Sequence, residues 1–205
     1  MLTKAEERNF WLHRLHSLAG IVPIGGFVAF HLYENYSAMR GADHYNEVAH
    51  ALQVMPFALA LEIAVIIVPI LFHGIYGLFV TATGSPNEKP YVRNWMYNLQ
   101  RVSGVILFAY ILFHLWTTRF VNVAHHEDVN LFATMHAVVA NRWLLAFTIL
   151  GILSATFHLA NGIWSFSIVW GITVSARSQR LMQYVSVVVF VILSYIGVRA
   201  IFAFV

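Results

Sequence analysis

Phe72-His73-Gly74-Ile75-Tyr76-Gly77 and Phe157-His158-Leu159-Ala160-Asn161-Gly162 decide how this chain is read. Each sets a histidine deep in a long apolar run, with a glycine four residues on, the spacing that puts both on one helix face. Phe30-His31-Leu32 and Phe113-His114-Leu115 echo the pattern, so four apolar segments each carry one histidine near the exit end. An ionisable group costs free energy in lipid, and its default reading is functional. Four at matched depths read as two pairs of axial ligands, one pair for each of two b-type haems.

The surrounding composition agrees. The chain has 205 residues, 60% hydrophobic and 10% charged, too apolar for a soluble domain of that length. Its net charge of +3 is scattered among connections and forms no stripe, so no nucleic-acid partner is expected. There is no cysteine, which excludes disulfides, cysteine-ligated iron–sulfur clusters and covalent c-type haem. Any haem must be held by side-chain ligation and packing. The start, Met1 to Arg14, is charged and lacks a cleavage-like site, so the first apolar run is expected to stay as a membrane helix.

Stretches near 14–34, 56–82, 98–121, 143–168 and 181–204 are long enough to cross roughly 30 Å of hydrocarbon. The expectation is an all-α, polytopic membrane protein, a single domain over 1–205 with five transmembrane helices. The first four would form a bundle around two stacked b haems. Pro23 and Pro69 fall inside segments one and two and read as kinks. Residues 84–90 read as a turn, 40–55 as a short interfacial helix, and 122–142 as a polar connection. With the N-terminus inside, Lys4, Arg8, Arg14, Lys89, Arg93, Arg101, Arg177 and Arg180 face inward, against Arg40, Arg119, Arg142 and Arg199 outside. That asymmetry favours N-in and C-out.

Helix rise turns this topology into depth. His31 lies 17 residues past Arg14 and His114 lies 13 past Arg101, about 20–25 Å along outward-running helices. His73 lies 17 residues past Pro56 and His158 lies 15 past Trp143, about 22–25 Å along inward-running ones. Depth therefore pairs His31 with His114 near the outer face and His73 with His158 near the inner face. The separations repeat as well, 83 residues for the outer pair and 85 for the inner. Gly77 and Gly162 would admit a flat porphyrin, and Gly20 and Gly104 would relieve crowding against the inner one. Arg14, His16, Ser17, Arg101 and Arg180 are candidates to neutralise haem propionates at the inner face. Glu62 sits about 9 Å below the outer boundary, where a carboxylate needs a partner, a proton or water. Glu62, Asn35, Tyr36 and Arg119 lie at the segment ends where a quinone beside the outer haem would bind.

Further stretches carry a family likeness: Arg14-Leu15-His16-Ser17, Arg93-Asn94-Trp95-Met96, Leu99-Gln100-Arg101, Trp164-Ser165-Phe166, Trp170-Gly171-Ile172-Thr173 and Arg177-Ser178-Gln179-Arg180. With Phe157-His158 and Asn161-Gly162, they resemble the dihaem cytochrome b anchor of succinate:menaquinone oxidoreductases and quinol:fumarate reductases, respiratory complex II. The resemblance runs along essentially the whole chain and looks most like the Bacillus-type single-polypeptide anchor. It implies His73 and His158 as ligands of a proximal haem, and His31 and His114 of a distal one. It also implies a flavoprotein and an iron–sulfur subunit docked on the cytoplasmic face, menaquinone or another quinone as substrate, and residence in the bacterial cytoplasmic membrane. Some fumarate reductases of that family carry a glutamate two residues before one ligand, serving a proton path; this chain has Thr156 there.

The residues alone leave other readings open. A dihaem anchor of a hydrogenase or nitrate reductase would satisfy the same histidine pairs. A haem-free proton-coupled transporter would use intramembrane histidines and repeated halves. An anchor with no redox role leaves the pairing unexplained.

Overall fold

A computed structural model describes residues 3–84, 92–120 and 130–205, and among these every regular element is helical. Residues 85–90 of the turn and 125–128 of the polar connection lie outside the described residues. We number the helices α1 (Lys4–Arg40), α2 (Ala42–Gln53), α3 (Ala58–Thr83), α4 (Val92–Leu115 continued by Trp116–Phe120), α5 (Leu131–Val139), α6 (Arg142–Val169) and α7 (Ala176–Phe202). Five of them, α1, α3, α4, α6 and α7, are long and apolar enough to cross a membrane.

Helix α1 starts well before its apolar stretch because its end is capped. Glu6 N–H donates to Thr3 Oγ1 (3.3 Å) while Glu6 Oε2 accepts from Thr3 N–H (2.8 Å). This reciprocal box satisfies two of the orphan donors of a helix start, and Glu6 and Glu7 complement the dipole there. A polar helical stub therefore precedes the segment that hydropathy marks. Its other end is set by Gly41, whose φ of +104° lets the chain turn into α2 in a region L side chains rarely adopt.

Both internal prolines lie at π-helical turns. Pro23 falls within the wide turn Gly20–Ile24, and Pro69 lies two residues after another, Glu62–Ile67. Proline removes one backbone donor, and a local π adjustment lets the helix continue through the gap. A third π turn, Trp116–Phe120, ends α4.

Helix α6 is the spine, packing most extensively on α7 and α4. Small residues bring the backbones together: a Cβ on Gly151 would collide with the Tyr110 ring, and one on Gly197 would lie 2.7 Å from Ile152 Cγ2. Thr156 is fully buried on α6, and its hydroxyl bonds the Ile152 carbonyl (3.0 Å) and Ser194 Oγ of α7 (2.8 Å). The position where some fumarate reductases hold a glutamate is thus used here to fasten α7 to the bundle.

The buried apolar cluster lies at the carboxy-terminal side, where Ala38, Tyr45, Met135, Val139, Ile152, Ile201 and Phe204 meet. Short helices α2 and α5 close over the ends of α1, α6 and α7. Asn46 bridges them, donating to Asn130 Oδ1 (2.9 Å) and accepting from Phe132 N–H (3.1 Å). His136 Nδ1 ties the lid to the chain end by donating to the Phe204 carbonyl (2.7 Å).

Candidate functional site

On the amino-terminal side, α1, α3, α4 and α6 surround a cavity of about 290 Å³ whose wall includes His73 and His158. The two rings face each other across it, with centroids 6.1 Å apart and planes at 89°. Each ring is held from the neighbouring helix by a main-chain carbonyl. His73 Nδ1–H donates to the His16 oxygen (2.9 Å), and His158 Nδ1–H to the Gln100 oxygen (3.1 Å). A donating Nδ1 leaves the Nε2 lone pair for a metal, the arrangement that fixes tautomer and ring orientation in histidine ligation. The Gln100 side chain returns the contact, donating to the His158 carbonyl (3.1 Å) while accepting from Asn161 Nδ2 (2.8 Å).

The glycines explain how the rings fit. A Cβ on Gly20 would collide with the His73 ring, and one on Gly104 would stand 2.9 Å from His158 Cε1. Each imidazole therefore lies against a bare stretch of backbone one helical turn past the carbonyl that holds it. Gly77 leaves room for a different ring, His16, whose Nε2 would lie 3.1 Å from an added Cβ. Gly162 faces Ile21 and Gln100 at ordinary contact distances.

The second pair, His31 of α1 and His114 of α4, meets near the lid with centroids 5.9 Å apart and planes at 66°. Phe27 stacks on His31, and Tyr110 on His114. Here the Nδ1 partner is an acid: His31 Nδ1–H donates to Glu34 Oε2 (3.2 Å). Asn35 Nδ2 donates to the His31 carbonyl (2.8 Å) and lies over its ring, while Asn35 Oδ1 accepts from Tyr45 O–H (3.2 Å). Burial, and secondarily the nearby Glu34 charge, push the Tyr45 phenol above its usual range.

These spacings suit a common ligand chemistry. Two coaxial metal–imidazole bonds of about 2 Å, with roughly 1.1 Å from each ring nitrogen to its ring centre, set the centroids about 6 Å apart. Both pairs have that separation. The bare backbone at Gly20 and Gly104 provides a cradle for the imidazoles, and the buried Nε2 of His16, without a partner among the described residues, lies beside it. A facing pair of imidazoles with no cysteine is a donor set that fits a b-type haem.

The other residues singled out from the sequence separate into groups. His16, Ser17 and Arg101 line the same cavity as His73 and His158. His16 stacks on His73 with centroids 4.0 Å apart. Ser17 Oγ donates to the Arg14 carbonyl and accepts from Trp170 Nε1–H. The Arg101 guanidinium donates to the carbonyls of Val80 (3.1 Å) and Gly84 (3.2 Å), closing the end of α3. Arg14 stacks between Phe10 and Trp170, outside the cavity wall, and Arg180 is exposed on α7. At the other end Arg119 donates to Glu62 Oε2 (2.9 Å), joining the π turns of α3 and α4. Asn35 belongs with His31 instead, and Tyr36 is half-buried in the tight turn Tyr36–Arg40 that ends α1.

Glu34, Gln100 and Asn161 join the site only through the structure. Glu34 carries a sequence signal, because a carboxylate three residues after His31 shares its helix face. Gln100 had no such signal, since its main-chain oxygen is the working atom.

The profile of the family described as succinate dehydrogenase/fumarate reductase transmembrane subunit matches residues 83–198. The succinate dehydrogenase cytochrome b558 subunit of Bacillus subtilis (strain 168) is 44% identical over 200 residues, covering 97% of this chain and 98% of that protein. A match of that identity over nearly both whole chains selects among the readings the histidines alone left open. This multi-pass, all-helical chain belongs to the transmembrane subunit family of succinate dehydrogenases and fumarate reductases.

Proposed function

We propose that the chain is the electron-transfer anchor of a succinate:menaquinone oxidoreductase or quinol:fumarate reductase, holding two b haems between iron–sulfur chemistry on one face and quinone on the other. The observation that carries this reading is the pair of facing imidazoles at each end of one four-helix bundle, with centroids 6.1 and 5.9 Å apart. His73 and His158 would hold the proximal haem, and His31 and His114 the distal one. When bound, the haems supply one-electron redox centres, so that a two-electron donor on one side is linked to a two-electron acceptor on the other.

The chain's own residues do the rest. The carbonyls of His16 and Gln100 hold the proximal imidazoles in the tautomer that presents Nε2. His16 Nε2, Ser17 and Arg101 lie on the cavity wall where propionates need donors. Glu62 and Arg119 form an ion pair at the opposite end, partly exposed, with a carboxylate able to pass protons to a quinone oxygen. Quinone reduction takes up two electrons and two protons. With the N-terminus cytoplasmic, as the basic residues favour, those protons enter from the outer side. A flavoprotein and an iron–sulfur subunit then dock on the cytoplasmic face of a bacterial cytoplasmic membrane. Family membership supports that assembly, and the eight-to-four split of Lys and Arg between the two sides supports that orientation.

The test is a reduced-minus-oxidised spectrum of the purified chain with pyridine haemochrome quantification. Two b haems per chain are expected, and alanine at His31 or at His73 removes one. A chain that incorporates no haem under conditions that load a known cytochrome b refutes the reading.

A further inference from the structure

The two histidine pairs differ in what holds their rings. In the amino-terminal pair both Nδ1 atoms donate to neutral main-chain oxygens, those of His16 and Gln100. In the carboxy-terminal pair His31 Nδ1 meets the carboxylate of Glu34, 3.2 Å away and 12% exposed. The contact is supported on both sides. Glu34 follows His31 by three residues on the same α-helical stretch, Gly25–Asn35, which fixes their relative position. Asn35, held by Tyr45 from the lid, sits over the His31 ring and its Nδ2 lies 3.5 Å from Glu34 Oε2.

We propose that Glu34 is a positioning residue for the distal centre, and that its charge lowers the midpoint of a haem held by His31 and His114 below the value it would have without that carboxylate. The inference rests on the haem reading above. An imidazole whose Nδ1–H is shared with a carboxylate is a stronger electron donor through Nε2 than one bonded to a carbonyl. One-electron reduction removes one positive charge from the iron centre, so a negative charge held against its ligand favours the oxidised form. Both effects have the same sign. Hydrogen bonds to charged groups exceed neutral ones by about 1 kcal/mol or somewhat more. That corresponds to about a tenfold change in the reduction equilibrium, or 59 mV for a one-electron couple.

The test is redox potentiometry of the full chain in membranes, following the two haems by their separate α-band components, for wild type, E34Q, E34D and E47Q. E34Q keeps an acceptor oxygen but removes the charge. The distal midpoint is expected to rise by the equivalent of about tenfold while the proximal midpoint stays put. E34D keeps the charge on a shorter arm and falls between E34Q and wild type. Glu47, exposed on α2, is the control, and E47Q leaves both midpoints in place. Two haems with an unmoved distal midpoint in E34Q, or equal shifts of both haems, overturn the proposal. If E34Q does not assemble, E34D and E34S carry the same comparison, and an unmoved distal midpoint in both overturns it. A wild-type chain without haem instead sinks the reading beneath it.

Discussion

Adding a single methyl group at Gly104 tests whether the proximal imidazole is clamped as the structure places it. In G104A the new Cβ would lie 2.9 Å from His158 Cε1 and 3.3 Å from Nδ1, against an ordinary contact of 3.4–4 Å. The ring has little freedom to retreat, because Nδ1 is bonded to the Gln100 carbonyl at 3.1 Å. Overpacking of this kind costs about 1–3 kcal/mol. Surrendering the hydrogen bond to escape it costs about 1 kcal/mol instead. A ring free of metal has that escape, while a ring holding a haem does not. The difference, up to about 2 kcal/mol, lowers affinity at the proximal pair by up to about thirtyfold. The assay is haem content by pyridine haemochrome after purification in detergent, with haem titrated back into the depleted chain. G26A is the control, because a Cβ there meets nothing within 4 Å. G104A should retain the distal haem and lose most of the proximal one, while G26A keeps both. Full occupancy and an unchanged spectrum in G104A would refute the idea that His158 is pinned against the α4 backbone.

Asn161→Leu removes the donor to Gln100 Oε1 and leaves a half-buried amide oxygen unpaired, which should cost about 1 kcal/mol and lower the thermal midpoint; wild-type stability would show the Gln100–His158 clasp to be idle. Glu62→Gln breaks the charge pairing with Arg119 and is expected to slow quinone turnover severalfold with haem content intact, and unchanged turnover and inhibitor binding would rule Glu62 out as a quinone residue. Collapsing the membrane potential should slow succinate:menaquinone activity and spare succinate oxidation by an artificial acceptor. Equal slowing of both would contradict quinone reduction at the outer end.

Much of this architecture is written in local patterns. Runs of apolar residues of bilayer length mark five spans, and the same five appear as helices long and apolar enough to cross a membrane. The repeat of 83 and 85 residues between histidines anticipates the pairing by helix rise alone, and the rings of each pair do face each other. Basic side chains near the inner face carry no such local signal of their partners. Arg101 is drawn to the open carbonyls of Val80 and Gly84, and Arg14 to two aromatic faces. Charge at a given depth does not say which of several nearby acceptors captures a long, flexible side chain.

The amino-acid sequence by itself determined the class, the number of spans, the four histidines and their grouping by depth, because each depends on composition or on the fixed rise of a helix. Tertiary structure decided which atoms hold the imidazoles of His73 and His158. The His16 and Gln100 carbonyls reach their imidazoles across 57 and 58 residues. Every residue has such an oxygen, so side-chain identity carries no trace of which one is used. The Glu62–Arg119 pair likewise spans 57 residues and exists only because two helix ends are brought side by side. Local order writes the helices, but contacts between them depend on packing geometry that no single stretch contains.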